Sequence, residues 1–108
     1  MTTESTLAHH LQALGEGIDA ILSDYTEESV LFTPNGPLHG LAAIRASFES
    51  FIKNSPPELV QAIKVLRQDI AGEVAYIVWE AKPFITRATD TFVIRNGKIV
   101  TQTYAIFA

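Results

Sequence analysis

A chain of 108 residues, 47% hydrophobic and 19% charged, has the composition of one folded domain with a single core and room for one modest pocket. A formal charge of −4 with no Lys/Arg cluster argues against nucleic acid and anionic membrane as partners, and the lack of cysteine excludes disulfides, thiolate metal sites and a cysteine nucleophile. Met1–Thr6 has neither the basic start nor the apolar stretch of a signal peptide, and the longest apolar run, Val74–Trp79, is far too short to span a membrane, so a cytoplasmic location is expected.

Leu7, His10, Leu11 and Leu14 fall at i, i+3, i+4 and i+7 and predict an amphipathic helix, with Thr3 or Ser5 as its cap. Gly15-Glu-Gly17 ends it. Ile18, Ile21, Leu22 and Tyr25 repeat the pattern and predict a second short helix. Thr26-Glu-Glu-Ser29 reads as a polar break, Val30–Thr33 as a short strand, and Pro34-Asn-Gly-Pro37 as a turn. Gly40 opens a third helix whose apolar stripe is Ile44, Phe48, Phe51 and Ile52, and Asn54-Ser-Pro-Pro57 stops it.

From there the apolar period changes from 3.6 to 2. Strands are predicted at Glu58–Ile70, Val74–Lys82, Thr86–Arg95 and Lys98–Phe107, with turns at Ala71-Gly72-Glu73, around Pro83 and at Asn96-Gly97. Asn-Gly tolerates two positive φ angles and suits a tight type I′ hairpin. With Arg95 paired to Lys98, Asp90 lies opposite Thr103 and Phe92 opposite Thr101. Helices followed by an antiparallel meander give an α+β fold with the helices on one sheet face.

On this register one face carries Ile77, Trp79, Phe92, Ile94, Ile99 and Phe107. The other carries Val74, Tyr76, Val78, Val93, Val100, Tyr104 and Ile106. Three short helices cover only one of two apolar faces, so the outer face is expected to be a homodimer interface; strong curvature that buries part of it within the monomer is the alternative.

Asp90 is out of place, a carboxylate in line with Phe92 and Ile94. In an apolar pocket it would lose hydration and become an acid or base near neutrality; satisfied by backbone N–H groups, Thr103 or Arg87, it would be structural. His10 sits on an apolar stripe, where histidine either packs or joins Asp90 in proton exchange. If Ala81 faces Phe84 across the turn, Trp79 shares Asp90's face, either as a pocket wall for a flat ring or as core. Tyr25 aims its hydroxyl inward from the second helix, and Phe48 and Phe92 are core or pocket wall. Tyr104 falls on the interface face. Asp24, Glu27 and Glu28 read as a solvated acidic loop. His9, His10 and His39 lack metal-ligand spacing, so no metal site and no cofactor are expected.

The order of elements resembles the nuclear transport factor 2-like superfamily. The likeness is carried by Gly17-Ile-Asp-Ala-Ile-Leu-Ser-Asp-Tyr25, Val30-Leu-Phe-Thr-Pro-Asn-Gly36, Gly40-Leu-Ala-Ala-Ile-Arg45 and Asp90-Thr-Phe-Val-Ile-Arg-Asn-Gly-Lys-Ile-Val100. The resemblance implies one domain over residues 1–108, a cone of three helices on a curved, mostly antiparallel sheet around a pocket. Ketosteroid isomerases and SnoaL-like polyketide cyclases belong to that superfamily. Thr33 stands where the isomerases carry their carboxylate base, so that mechanism is not implied, although Thr33 keeps a ligand-binding position. His10 stands in place of their helix tyrosine, and Asp90 matches their second, carboxylic acid donor as well as the acid–base aspartate of the cyclases. The expected function is binding of a small, largely hydrophobic molecule with cofactor-free acid–base chemistry through Asp90. The alternatives are a non-catalytic ligand-binding domain and a dimerisation or interaction domain.

Overall fold

The computed structural model describes residues 1–107. The first helix, α1 (Thr3–Ala13), is capped one residue earlier than expected. Thr2 Oγ1 accepts from the Ser5 N–H at 2.9 Å while Ser5 Oγ accepts from the Thr2 N–H at 3.0 Å, a reciprocal capping box. Thr3 instead donates its hydroxyl to the Gly72 carbonyl at 2.8 Å, which ties α1 to the turn at Gly72. The second helix, α2 (Ile18–Leu22), stops short of Tyr25.

Tyr25 begins strand β1 (Tyr25–Thr33) rather than ending a helix. The expected polar break lies inside this strand. Pairing with β6 (Lys98–Phe107) jumps from Tyr25↔Ile99 to Val30↔Thr101, and Thr26–Ser29 bulge out between. Ser29 stabilises the bulge by donating to the Ile99 carbonyl at 2.6 Å and accepting from the Thr26 N–H at 2.8 Å. Pro34 and Asn35 turn the chain into a short strand not anticipated from sequence, β2 (Gly36–His39), which feeds directly into α3 (Gly40–Asn54).

Two assignments change around α3. Ile52, placed on its apolar stripe, is 44% exposed, whereas Ile44 is fully buried. Glu58–Ala62, expected to be strand, forms helix α4. Pro57, with φ −56°, presets the first turn, and Leu59 buries against Ala81, Ile85 and Ala88. The remaining strands are β3 (Lys64–Ala71), β4 (Val74–Ala81) and β5 (Ile85–Arg95).

The six strands form one curved mixed sheet in the order β2-β1-β6-β5-β4-β3, with β1 parallel to β6 and every other pair antiparallel. The α+β architecture expected from the sequence is present. α1 packs on β4 and β5, and α3 packs on β1 and β2, leaving the opposite face of the sheet without helices.

Two bulges set which side chains face inward. At the Asn96-Gly97 turn both residues have positive φ (52° and 75°) and Arg95 pairs with Lys98 as expected. Val93 nevertheless pairs with Thr101 while Ile94 pairs with Ile99, so Val100 is an extra residue. Beyond it the register is displaced by one: Asp90 faces Tyr104, not Thr103, and Phe92 faces Gln102, not Thr101. Tyr104 and Ile106 therefore move from the expected outer face to the helix-covered face. At the other end of β5 the turn is one residue longer than expected, with Ala81 opposite Ile85. A bulge opposite Glu80 restores the phase, so Trp79↔Ala88 and Ile77↔Asp90 share the inner face.

Candidate functional site

Asp90 projects from β5 between the inner-face residues Ala88 and Phe92 and is only 9% exposed. Both of its oxygens are held by neutral donors. Trp79 Nε1 donates to Oδ1 at 2.8 Å and Gln102 Nε2 donates to Oδ2 at 2.8 Å. The Gln102 carbonyl in turn accepts the Tyr25 hydroxyl. An amide has one donor end and one acceptor end, and here each is used, so donation runs from Tyr25 through Gln102 to Asp90 and converges there with donation from Trp79.

Burial raises the Asp90 pKa above its ordinary value, and the hydrogen bonds from Trp79 and Gln102 offset only part of that rise. Burial and the neighbouring Asp90 and Asp24 charges push the Tyr25 hydroxyl well above its usual range. Tyr104, opposite Asp90, is raised by burial and by the same carboxylate.

His10 faces the site from α1. Its ring stands edge-on to Phe92 at 5.3 Å, Tyr25 at 5.9 Å and Phe48 at 6.3 Å between centroids. Burial, with a smaller contribution from the charge of His9, lowers its pKa to about 4. His10 is therefore a neutral imidazole at pH 7, rather than a group that titrates near neutrality. Its Nδ1 is buried without a hydrogen-bond partner among the described residues.

These side chains surround a cavity of about 110 Å³. His10, Leu11 and Leu14 close it from α1, Phe48 and Phe51 from α3, and Ile77, Trp79, Asp90, Phe92, Gln102 and Tyr104 from the sheet. The void is of the same order as an engineered cavity of ~150 Å³ that admits benzene, so it suits one small ring. Apart from Tyr104, its only ionisable lining residues among the described residues are His10 and Asp90.

The structure thus brings Asp90, His10, Trp79, Phe48 and Phe92 to one cavity. Tyr25 stands behind the wall and acts on Asp90 through Gln102. Thr33 is not with them. Its hydroxyl donates to the Gly36 carbonyl at 2.8 Å, and it borders a separate open groove along α3. The acidic loop also differs from expectation: Asp24 is 4% exposed, with both oxygens 2.9 Å from His9 Nδ1, and Glu27 accepts the Leu41 N–H at the start of α3.

Sequence reasoning missed Gln102 and Tyr104 because it ran β6 back from the turn without the extra residue. Apolar residues fall at both odd (Ile99, Phe107) and even (Val100, Tyr104, Ile106) positions of β6, so its periodicity fits either register and carries no signal of the bulge. Among the described residues, no three His, Asp or Glu side chains converge as a metal site, and no helix is long and apolar enough to cross a membrane.

Residues 7–102 match the family described as the SnoaL-like domain. Among solved structures, a protein from Sinorhizobium meliloti described provisionally as a polyketide cyclase has a TM-score of 0.77 at 15% identity, covering 94% of this chain and 94% of its own. A nuclear transport factor 2-like protein of unknown function from Cytophaga hutchinsonii has a TM-score of 0.74 at 15% identity, covering 99% and 91%. A cystatin-like fold protein from Burkholderia xenovorans has a TM-score of 0.73 at 20% identity, covering 99% and 90%. At such identities the likeness is one of fold. No curated protein matches the chain in sequence.

Proposed function

Because this chain belongs to the SnoaL-like domain family, whose fold suits ligand binding or cyclase- and isomerase-type roles, we propose that it binds a small ring-bearing molecule beside Asp90 and moves a proton on it. The observation that carries this reading is a buried carboxyl in an apolar cavity, held by neutral donors with no cation at its oxygens among the described residues. A structural carboxylate is ordinarily stabilised by a cation or by backbone N–H groups; this one is kept costly to ionise and open to a ligand.

In the reaction, the Asp90 carboxylate removes a proton from carbon next to a carbonyl. The C–H electron pair moves into the carbonyl system to give an enol or enolate, and the Asp90 carboxylic acid returns the proton to the same or a conjugated carbon. The Tyr104 hydroxyl, in the cavity lining, and the neutral His10 imidazole, whose Nδ1 has no partner among the described residues, are placed to stabilise the ligand oxygen. Trp79 fixes Asp90 and offers an indole face to the ring.

The test uses the fluorescence of Trp79, the sole tryptophan. Cyclic enones and phenols should quench or shift its emission, and solvent deuterium should enter enone carbon acids only with Asp90 intact. Exchange that survives in Asp90→Asn would sink the proton-transfer reading; binding without any exchange would leave a receptor.

We propose further that two copies pair through the outer sheet face. Val74, Tyr76, Val78 and Val93 form an apolar patch there, uncovered by any helix, with Val74 and Tyr76 exposed. Sedimentation should give a dimer that Tyr76→Glu dissociates; a wild-type monomer at high concentration rejects the pairing.

A further inference from the structure

A second, separate space adjoins the cavity beside Asp90 across Tyr104. Ser47, Phe51 and Tyr104 line both this cavity and an open groove of about 560 Å³ that runs along α3 toward the β1–β2 turn. The groove has a different chemistry from the cavity. Asn35, Ser47, Ser50, Asn54 and Ser55 supply amides and hydroxyls, and among the described residues no Lys, Arg, His, Asp or Glu lines it. We propose that this groove is the second half of the ligand site and takes an uncharged, hydroxyl- or amide-bearing extension of the molecule whose ring lies beside Asp90.

Three observations support this. The first is adjacency, since Ser47, Phe51 and Tyr104 are walls common to the cavity and the groove, so the two are one side chain apart. The second is capacity. Asn54 Nδ2 donates to Ser50 Oγ at 3.1 Å, which leaves the Asn54 carbonyl and the Ser50 hydroxyl proton for a ligand, while the side chains of Ser47, Ser55 and Asn35 make no hydrogen bonds among the described residues. The third is selectivity. A carboxylate or phosphate finds no cation in either compartment and approaches Asp90; an ammonium finds no carboxylate in the groove. Only a neutral polar group exchanges its water for protein partners without an unpaired charge.

The helix also sets a length. Ser47, Ser50 and Asn54 lie at i, i+3 and i+7 on one face of α3 and span about 10 Å at 1.5 Å per residue. That distance accommodates a chain of roughly eight bonds, or a second small ring with a short linker. The ligand class is thus an amphipathic neutral molecule with a compact apolar ring and a polar tail, rather than an acyl carrier, phosphate ester or carboxylic acid.

This inference rests on the cavity being the ring site, and the test separates the two. Three probes share one head: 4-ethylphenol, 3-(4-hydroxyphenyl)propanoate, and N-(2-hydroxyethyl)-3-(4-hydroxyphenyl)propanamide. Trp79 emission reports all three in the intact protein. The amide should bind tighter than 4-ethylphenol by about 3- to 10-fold per hydrogen bond gained, and the propanoate should bind no tighter than 4-ethylphenol. In Ser50→Ala/Asn54→Ala, both exposed positions, the amide's advantage over 4-ethylphenol measured on the same variant should disappear. Ser50→Arg should shift the preference to the propanoate. If 4-ethylphenol binds and the amide gains nothing, or the double variant keeps the gain, the groove proposal is overturned while the ring site stands. If 4-ethylphenol leaves Trp79 emission unchanged, the ring site falls and the groove, as its second half, falls with it. Binding of none of the three overturns both.

Discussion

Gln102 Nε2 sits 2.8 Å from Asp90 Oδ2, and it is there because β6 carries one extra residue at Val100. By donating to the Gln102 carbonyl, the Tyr25 hydroxyl, which is outside the cavity, holds the Gln102 amide N–H as a fixed donor at the carboxylate.

Replacing Gln102 by leucine should therefore act in two places. Asp90 loses a hydrogen bond that favours its charged form, so its pKa should rise further, as read by carbon-detected NMR of the carboxyl. The buried Tyr25 hydroxyl loses its acceptor, and stability in urea should fall by about 1–3 kcal/mol. An unchanged Asp90 titration would mean that Gln102 does not tune the carboxyl.

His10 should make the fold acid-sensitive above the carboxylate range. Its pKa falls from 6.5 to about 4 on folding, so between these values the unfolded chain takes up a proton that the native state refuses. Stability is fully present above pH 6.5 and is lost as pH falls toward 4. At about 1.4 kcal/mol per pH unit this contributes about 3 kcal/mol. His10→Leu should flatten that part of the stability profile in urea titrations, and an equally steep profile in the variant would refute the assignment.

Asp90 contributes with the opposite sign. Its folded pKa is raised above 3.8, so the native state holds its proton more tightly than the unfolded chain. Its contribution is fully present below 3.8 and is lost as pH rises through the folded value. In the His10→Leu background, where this term is no longer opposed, adding Asp90→Asn should remove a decline in stability with rising pH. If the decline persists, another group is responsible.

At the start of α3, Gly40 has φ +83°, and an added Cβ would lie 3.3 Å from the Glu27 carbonyl oxygen. Gly40→Ala should cost about 1–2 kcal/mol from backbone conformation alone. Urea unfolding should show this loss. A neutral substitution would mean that the β2–α3 junction relaxes freely.

The sequence made the architecture readable through periodicity. The α1 stripe, the Asn96-Gly97 hairpin and the inward position of Asp90 all follow from local pattern, and the resemblance to nuclear transport factor 2-like proteins supplied the curvature. Less legible were events that change phase. Tyr25 fits the 3.6 period of Ile18, Ile21 and Leu22, yet pairing with Ile99 draws it into a strand. Glu58–Ala62 has no turn signal separating it from β3, and only the burial of Leu59 against Ile85 and Ala88 reveals a helix. The partners of Asp90 were hidden because a bulge on β6 leaves no composition of its own. Trp79 reached the right face although its turn was one residue longer than expected, since the bulge opposite Glu80 cancelled the slip.

The extra residue at Val100 makes β6 a strand with two grammars. Before it, odd positions such as Ile99 are inside; after it, even positions such as Gln102 and Tyr104 are. Substitution tolerance along the strand should switch parity at that point, with Thr101 and Thr103 accepting charge where Gln102 refuses it. Deleting residue 100 should therefore iron out the bulge yet keep the site, because Ile94↔Ile99 and Val93↔Thr101 then follow without a gap and Gln102 and Tyr104 stay opposite Phe92 and Asp90.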